Sequence, residues 1–128
     1  MKTVLLVDDD PLQAHVRTSV LGRGFPEVER AADAAEAFIR IEDPGFRNQL
    51  GLVIVGLNRP GLGLGSPGFV AELKSRLPSV PVLVLGQRYE GAGQTHGPSV
   101  RFLYAASPEQ MLATSRQMVK QNTAPRVA

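Results

Sequence analysis

The stretch Leu52-Val53-Ile54-Val55-Gly56-Leu57-Asn58-Arg59-Pro60-Gly61 decides the fold. Its unbroken apolar run from Leu52 to Val55, mostly β-branched, is the pattern of a parallel strand covered on both faces. The Asn-Arg-Pro-Gly that follows is turn chemistry, so the strand ends at a loop. Thr3 to Val7 repeats the pattern: a second buried strand runs straight into Asp8, Asp9 and Asp10, and Pro11 then suits the first turn of a helix. In open α/β sheets ligand sites gather at the carboxyl ends of such strands, so both landmarks point to one rim.

Outward from these two strands, strand and helix alternate as in a doubly wound sheet. Pro11 to Leu21 has helical spacing with Leu12, Val16, Ser19 and Val20 toward the core, and Gly22 and Gly24 end it. Val28 to Ala31 is a short strand. Asp33 is placed to N-cap Ala34 to Glu42, with Glu36 three residues on giving a capping-box-like pattern, and Asp43-Pro44-Gly45 terminates that helix. The loop Arg59 to Gly68 is rich in glycine. It holds no Gly-Lys-Ser or Gly-Lys-Thr, and no GxGxxG follows the first strand, so it reads as a surface loop rather than a phosphate cradle.

Phe69 to Leu77 is helical in spacing before Pro78, and Val80 to Leu85 gives a fourth strand. Tyr89 to Pro98 contains Gly91, Gly93 and Gly97, each costing about 1 kcal/mol against Ala in a helix interior, so a helix there is short or degraded. Val100 to Tyr104 is the fifth strand. Ser107 caps Pro108 to Gln121, whose inner face carries Met111, Leu112, Ser115 and Met118 with Val119. Residues 1–121 thus read as one domain, and 122–128 as a flexible tail or the start of a linker.

The segments Val4-Leu5-Leu6-Val7-Asp8-Asp9-Asp10-Pro11 and Leu52 to Gly61 resemble the two signature loops of response-regulator receiver (CheY-like) domains. The resemblance spans roughly residues 1 to 121. It implies a flavodoxin-like sheet of five parallel strands in the order 2-1-3-4-5, within two-component or phosphorelay signal transduction. In that family an acidic pair after strand 1 holds Mg²⁺, an Asp ending strand 3 accepts a phosphoryl group, a Thr or Ser ends strand 4, and a Lys-Pro ends strand 5. Here the acidic pair is matched by Asp8 and Asp9. The phosphoacceptor position falls on Gly56, the hydroxyl position on Gly86, and the lysine position on Tyr104 or, shifted by one residue, on Ala105. The aromatic switch position falls on Arg101 or Phe102 with the same shift.

The chemistry of those groups says what their loss does. An acyl phosphate forms when a carboxylate attacks a phosphorus whose charge is neutralised by a metal and fixed donors, and Mg²⁺ takes several oxygens in near-octahedral geometry. Gly56 offers no nucleophile and no anionic ligand, Gly86 no hydroxyl to report a phosphoryl group, and Tyr104 or Ala105 no ammonium clamp. The expectation is an atypical receiver that is not an enzyme, requires no cofactor, binds Mg²⁺ weakly through Asp8 and Asp9, and acts by protein contact independent of phosphorylation. Its expected partners are a histidine kinase, a phosphotransfer protein or another receiver. The contact surface would lie around strand 5, the helix preceding it and the helix following it.

Two alternatives belong to other classes. The side chains missing at Gly56, Gly86 and Tyr104 leave room at the strand ends for a small molecule or nucleotide, with Asp10, Asn58, Arg88 and Tyr104 at its rim. Alternatively, Asp9 or Asp10 is an unconventional phosphoacceptor, which requires a base-labile acyl phosphate and dependence on Mg²⁺.

Composition narrows the remaining classes. A length of 128 residues suits one domain, and the absence of cysteine excludes disulfides and thiolate metal sites. The formal charge of +2 comes from 14 basic and 12 acidic residues that are interspersed, whereas nucleic-acid binding calls for a clustered basic face. The densest basic groups are Arg17 with Arg23, Lys74 with Arg76, and Arg116 with Lys120 and Arg126, and they read as solvated helix faces. The apolar run at Met1 to Val7 is too short for a signal peptide and no stretch is long enough to span a membrane, so a cytoplasmic location is expected. His15 and His96 lack metal-site spacing, and Ser66 and Ser107 lack a paired His and Asp.

Overall fold

The computed structural model describes residues 3–58, 67–86 and 99–123. Among these the strands are β1 (Thr3–Asp8), β2 (Glu27–Ala31), β3 (Leu50–Leu57), β4 (Val82–Gly86) and β5 (Val100–Tyr104). The helices are α1 (Pro11–Leu21), α2 (Ala34–Glu42), α3 (Pro44–Gln49), α4 (Pro67–Arg76) and α5 (Pro108–Thr123). All four strand pairs are parallel and the sheet order is β2-β1-β3-β4-β5. The α/β class and the strand order are those expected from the sequence.

Alternation along each strand divides the core in two, because successive side chains leave opposite faces of a sheet. Val4 and Leu6 of β1 join Leu52, Ile54, Leu83 and Leu85 beneath α1 and α5. Leu5 and Val7 join Val53, Val55, Val82 and Val84 beneath α2 and α4. β1, β3 and β4 are buried along nearly their whole length, which is why they read as continuous apolar runs.

Capping follows local sequence. Asp10 N-caps α1, its carboxylate accepting from the Leu12 and Gln13 N–H groups at 2.9 and 3.3 Å. At α2 the Asp33 carboxylate accepts from Glu36 N–H at 2.8 Å while the Glu36 carboxylate accepts from Ala32 N–H at 3.1 Å. At α5 the Ser107 hydroxyl accepts from Gln110 N–H at 3.1 Å and the Gln110 side chain accepts from Ser107 N–H at 2.8 Å. These reciprocal pairs satisfy donors that a helix start otherwise leaves open.

Several boundaries differ from expectation. Asp43 ends α2 but also N-caps the short helix α3, its carboxylate accepting from Gly45 N–H at 3.1 Å, so Asp43-Pro44-Gly45 is a junction between two helices rather than a stop. α5 continues to Thr123, two residues past the expected end. The inner face of α5 is as read, with Met111, Ser115 and Met118 buried and Leu112 and Val119 packed against the core. Pro67 and Gly68, read as the end of the glycine-rich loop, instead open α4, and the rest of that loop (59–66), the Tyr89 to Pro98 segment and residues 124–128 lie outside the described residues.

Helix α1 is rotated relative to the expected face. Leu12 is 71% exposed and Val16 44% exposed, Ser19 is exposed as well, and the buried positions are Ala14, Val20 and Leu21. The inward stripe is therefore Ala14, Arg17, Thr18 and Leu21, with Val20 at its margin, and an arginine stands in its middle. The Lys74 and Arg76 group is also engaged. Arg76 lies 4.4 Å from the centre of the Phe38 ring and pairs with Glu72 and Glu42, tying α4 to α2. Lys74 donates to the carbonyls of Val80 at 2.8 Å and Pro78 at 3.4 Å, and burial lowers its ammonium pKa below the ordinary lysine value.

This assignment predicts that Leu12→Gln changes stability by no more than about 0.5 kcal/mol, as for other exposed sites. Leu73→Ala, at a fully buried position, should cost about 3 kcal/mol. Urea unfolding of the two variants checks the pair.

Candidate functional site at the strand ends

The register places Asp8 directly beside Gly56, and Leu57 beside Gly86, which in turn faces Tyr104. The positions singled out in the sequence are thus neighbours along one edge of the sheet. The two-residue period aims Asp8 and Gly56 toward α1, on the same face as Val4, Leu6, Leu52 and Ile54.

Asp8 is 0% exposed, and its carboxylate is held from three directions. Arg17 Nη1 donates to Oδ2 at 2.6 Å, while Asn58 Nδ2 and the Asp10 N–H donate to Oδ1 at 2.6 and 3.0 Å. Asn58 Nδ2 also reaches Asp9 Oδ1 at 2.9 Å. Behind them, Arg30 donates through Nε and Nη2 to the Asp8 backbone carbonyl at 3.1 and 2.9 Å. A buried charge is tolerated only when it is paired and its remaining lone pairs are used, and Asp8 meets both conditions.

Gly56 completes the arrangement by having no side chain. A Cβ built there would lie 2.5 Å from Arg17 Nη1, 2.9 Å from Asp8 Oδ2 and 3.0 Å from Asp8 Cγ. The Arg17 side chain, 16% exposed, places its guanidinium in the space that a side chain at position 56 would enter. Glycine at this place is a packing requirement of the Arg17–Asp8 pair. Sequence reasoning missed Arg17 and Arg30. Arg17 reads with Arg23 as a solvated face, but its spacing three and four residues from Ala14 and Leu21 is the signal that it points inward.

The residues present do not suit Mg²⁺. That ion takes oxygens in near-octahedral geometry. Both Asp8 oxygens are engaged by donors, Asp9 accepts from Asn58, Asp10 is spent on the α1 cap, and Arg17 brings a positive charge to the same carboxylate. Among the described residues no group of three or more His, Asp or Glu side chains is placed to hold a metal. The expected ligand pair, Asp8 and Asp9, is brought together with the Asp8 oxygens taken up by donors, while Asn58 Oδ1 is buried without a hydrogen-bond partner among the described residues.

Open space lies elsewhere than expected. A cleft of about 330 Å³ sits over the ends of β4 and β5, between α1 and the start of α5. Asp10, Asn58 and Tyr104, the expected rim, do not line it, and Arg88 lies outside the described residues. The reason is physical: Arg17 fills the space at Gly56, Asp10 and Asn58 are tied into the cluster, and Tyr104 stacks on Phe102 with ring centres 6.2 Å apart. Ala105, which alternates to the cleft side, lines the wall with a backbone φ of 50° and donates its N–H to the Gly86 carbonyl at 2.9 Å.

Removing the guanidinium should be costly. Arg17→Met leaves Asp8 buried without its cation and should destabilise by about 3 kcal/mol. Gly56→Ala forces the pair apart and should cost about 1–3 kcal/mol despite the lower unfolded-state entropy of Ala. Ala105→Gly relieves a left-handed φ and should stabilise by about 0.5–1 kcal/mol. Thermal and urea unfolding of the three variants measures all of these.

No family model matches the chain, and no curated protein does. Solved structures do. The Vibrio cholerae chemotaxis protein CheY4 is 25% identical with a TM-score of 0.70, covering 92% of this chain and 98% of that one. A CheY-like response regulator receiver domain protein from Methanospirillum hungatei JF-1 is 19% identical with a TM-score of 0.76, covering 95% and 96%. The receiver domain of the hybrid histidine kinase CckA is 24% identical with a TM-score of 0.67, covering 91% and 98%. With the strand order and the placement of the helices, these establish that the chain has the CheY-like fold of response-regulator receiver domains.

Proposed function

We propose that the chain is an atypical receiver module of two-component or phosphorelay signalling that works through protein contact and carries out no phosphoryl transfer. The observation that supports this most directly is at Gly56. The position that resembles the phosphoacceptor has no carboxylate, and the volume above it holds the Arg17 guanidinium, bonded to Asp8. A phosphodonor would meet neither a nucleophile nor a metal-ready pair of carboxylates.

In this reading the module needs no cofactor and is not an enzyme. Its partner is another signalling protein, of the class of a histidine kinase, a phosphotransfer protein or a second receiver. The outer face of α1 offers apolar contact surface through Leu12 and Val16, while the contact face expected from the sequence includes a segment outside the described residues. The solved receiver from the hybrid kinase CckA is one setting in which this fold occurs. Among the described residues no helix is long and apolar enough to cross a membrane.

Incubation with acetyl phosphate and Mg²⁺, followed by intact-mass measurement, is expected to give no added phosphoryl group, and Gly56→Asp is expected to give none either, because Arg17 stands in the acceptor's place. A single phosphoryl adduct on the unaltered chain, lost in Asp9→Asn or Asp10→Asn, would instead establish the unconventional acceptor and overturn this proposal.

A further inference from the structure

The cleft between α1 and α5 has features that packing alone does not demand. Its floor carries the apolar side chains Val20, Leu85, Leu103 and Met111, and backbone groups together with Gln13, Arg17 and Ser107 make its lining as polar as it is apolar. Gly86, Ala105 and Ala106 form a wall of small residues at the strand ends, leaving the volume open. The turn from β5 into α5 is held open by the left-handed backbone at Ala105, a conformation a non-glycine residue adopts only at a cost. The cleft's volume of about 330 Å³ lies within the range of small-molecule sites, about 300–1,000 Å³.

The charges select the class of ligand. Among the described residues Arg17 makes one hydrogen bond, from Nη1 to Asp8, which leaves Nε and Nη2 as donors on a side chain that lines the cleft. Its charge is already balanced by Asp8, so an anionic ligand would gain no unpaired cation and would approach the acidic run Asp8 to Asp10. A cationic ligand would meet the guanidinium itself. An uncharged acceptor, such as a carbonyl oxygen, takes the spare donors without either cost.

We infer that the cleft between α1 and α5 binds an uncharged small molecule that lays an apolar part on Val20, Leu85, Leu103 and Met111 and presents a hydrogen-bond acceptor to Arg17. This site shares Val16 with the partner contact proposed above but does not depend on it: a chain that is phosphorylated would leave the cleft inference standing, and an empty cleft would leave the contact proposal standing.

Three probes of matched shape and different charge test it: phenylacetamide, phenylacetate and 2-phenylethylammonium, each titrated into the full chain with backbone amide and side-chain methyl NMR as the readout. Phenylacetamide is expected to give saturable shifts at Val20, Leu85, Leu103 and Met111, with each charged analogue binding at least about fivefold more weakly. Arg17→Lys keeps a cation beside Asp8 but gathers its donors on one nitrogen at the carboxylate, without the guanidinium fork that places Nε and Nη2 apart from it, and should weaken phenylacetamide about fivefold. Ala106→Leu fills the wall and Val16→Trp, at an exposed position, covers the mouth; both should abolish the shifts. Absence of saturable shifts with phenylacetamide, shifts that survive both blocking variants, or a charged analogue that binds as tightly as phenylacetamide would each overturn the inference.

Discussion

The ion pair between Arg17 and Asp8 organises the carboxyl edge of the sheet. Asp8 is wholly buried, and a carboxylate in that setting must have a cation and hydrogen-bond donors or it becomes a liability of several kcal/mol. α1 supplies the cation, and the turns after β1 and β3 supply the donors through the Asp10 N–H and Asn58. From that requirement follow the rotation of α1, the outward placement of Leu12 and Val16, and the need for glycine at position 56.

The same constraint explains which parts of the structure were legible in the sequence. β1, β3 and β4 declared themselves because strands buried on both faces must be apolar without interruption, and the caps at Asp33 and Ser107 because helix starts need side-chain acceptors at fixed offsets. The face of α1 did not. Leu12, Val16 and Val20 recur every four residues as a core stripe would, and hydrophobic periodicity carries no information about a buried charge 9 residues earlier in the chain. α3 was hidden for a related reason, since Asp-Pro-Gly is both a terminator and, with Asp as the cap, a helix start.

For the candidate site, the sequence located the edge and the missing side chains but not what replaced them. Asp8, Gly56, Gly86 and Tyr104 do lie along one rim. Reading Gly56 as a vacancy was the natural inference from one dimension, where an absent side chain means empty space. In three dimensions the space is shared by every element packed against it, and α1 fills it from the other side. Open volume appears instead over β4 and β5, where Gly86, Ala105 and Ala106 are small and no long side chain from α1 or α5 reaches across.

The filling of one position and the emptiness of another bear on how such a fold can signal. A receiver whose acidic cluster takes up a metal and a phosphoryl group has two charge states at its strand ends, and two states can favour two surfaces. Here the counter-charge belongs to the chain itself, fixed at 2.6 Å from Asp8 and tied through Asp8 to Asn58 and through the Asp8 carbonyl to Arg30. In the contact-based reading proposed above such a cluster gains no phosphoryl group, and a change of state would enter through the α1–α5 cleft or from a partner pressed against the outer face of α1. The Arg17 side chain touches both the buried carboxylate and the cleft, so an event in the cleft would be felt through it at the strand ends.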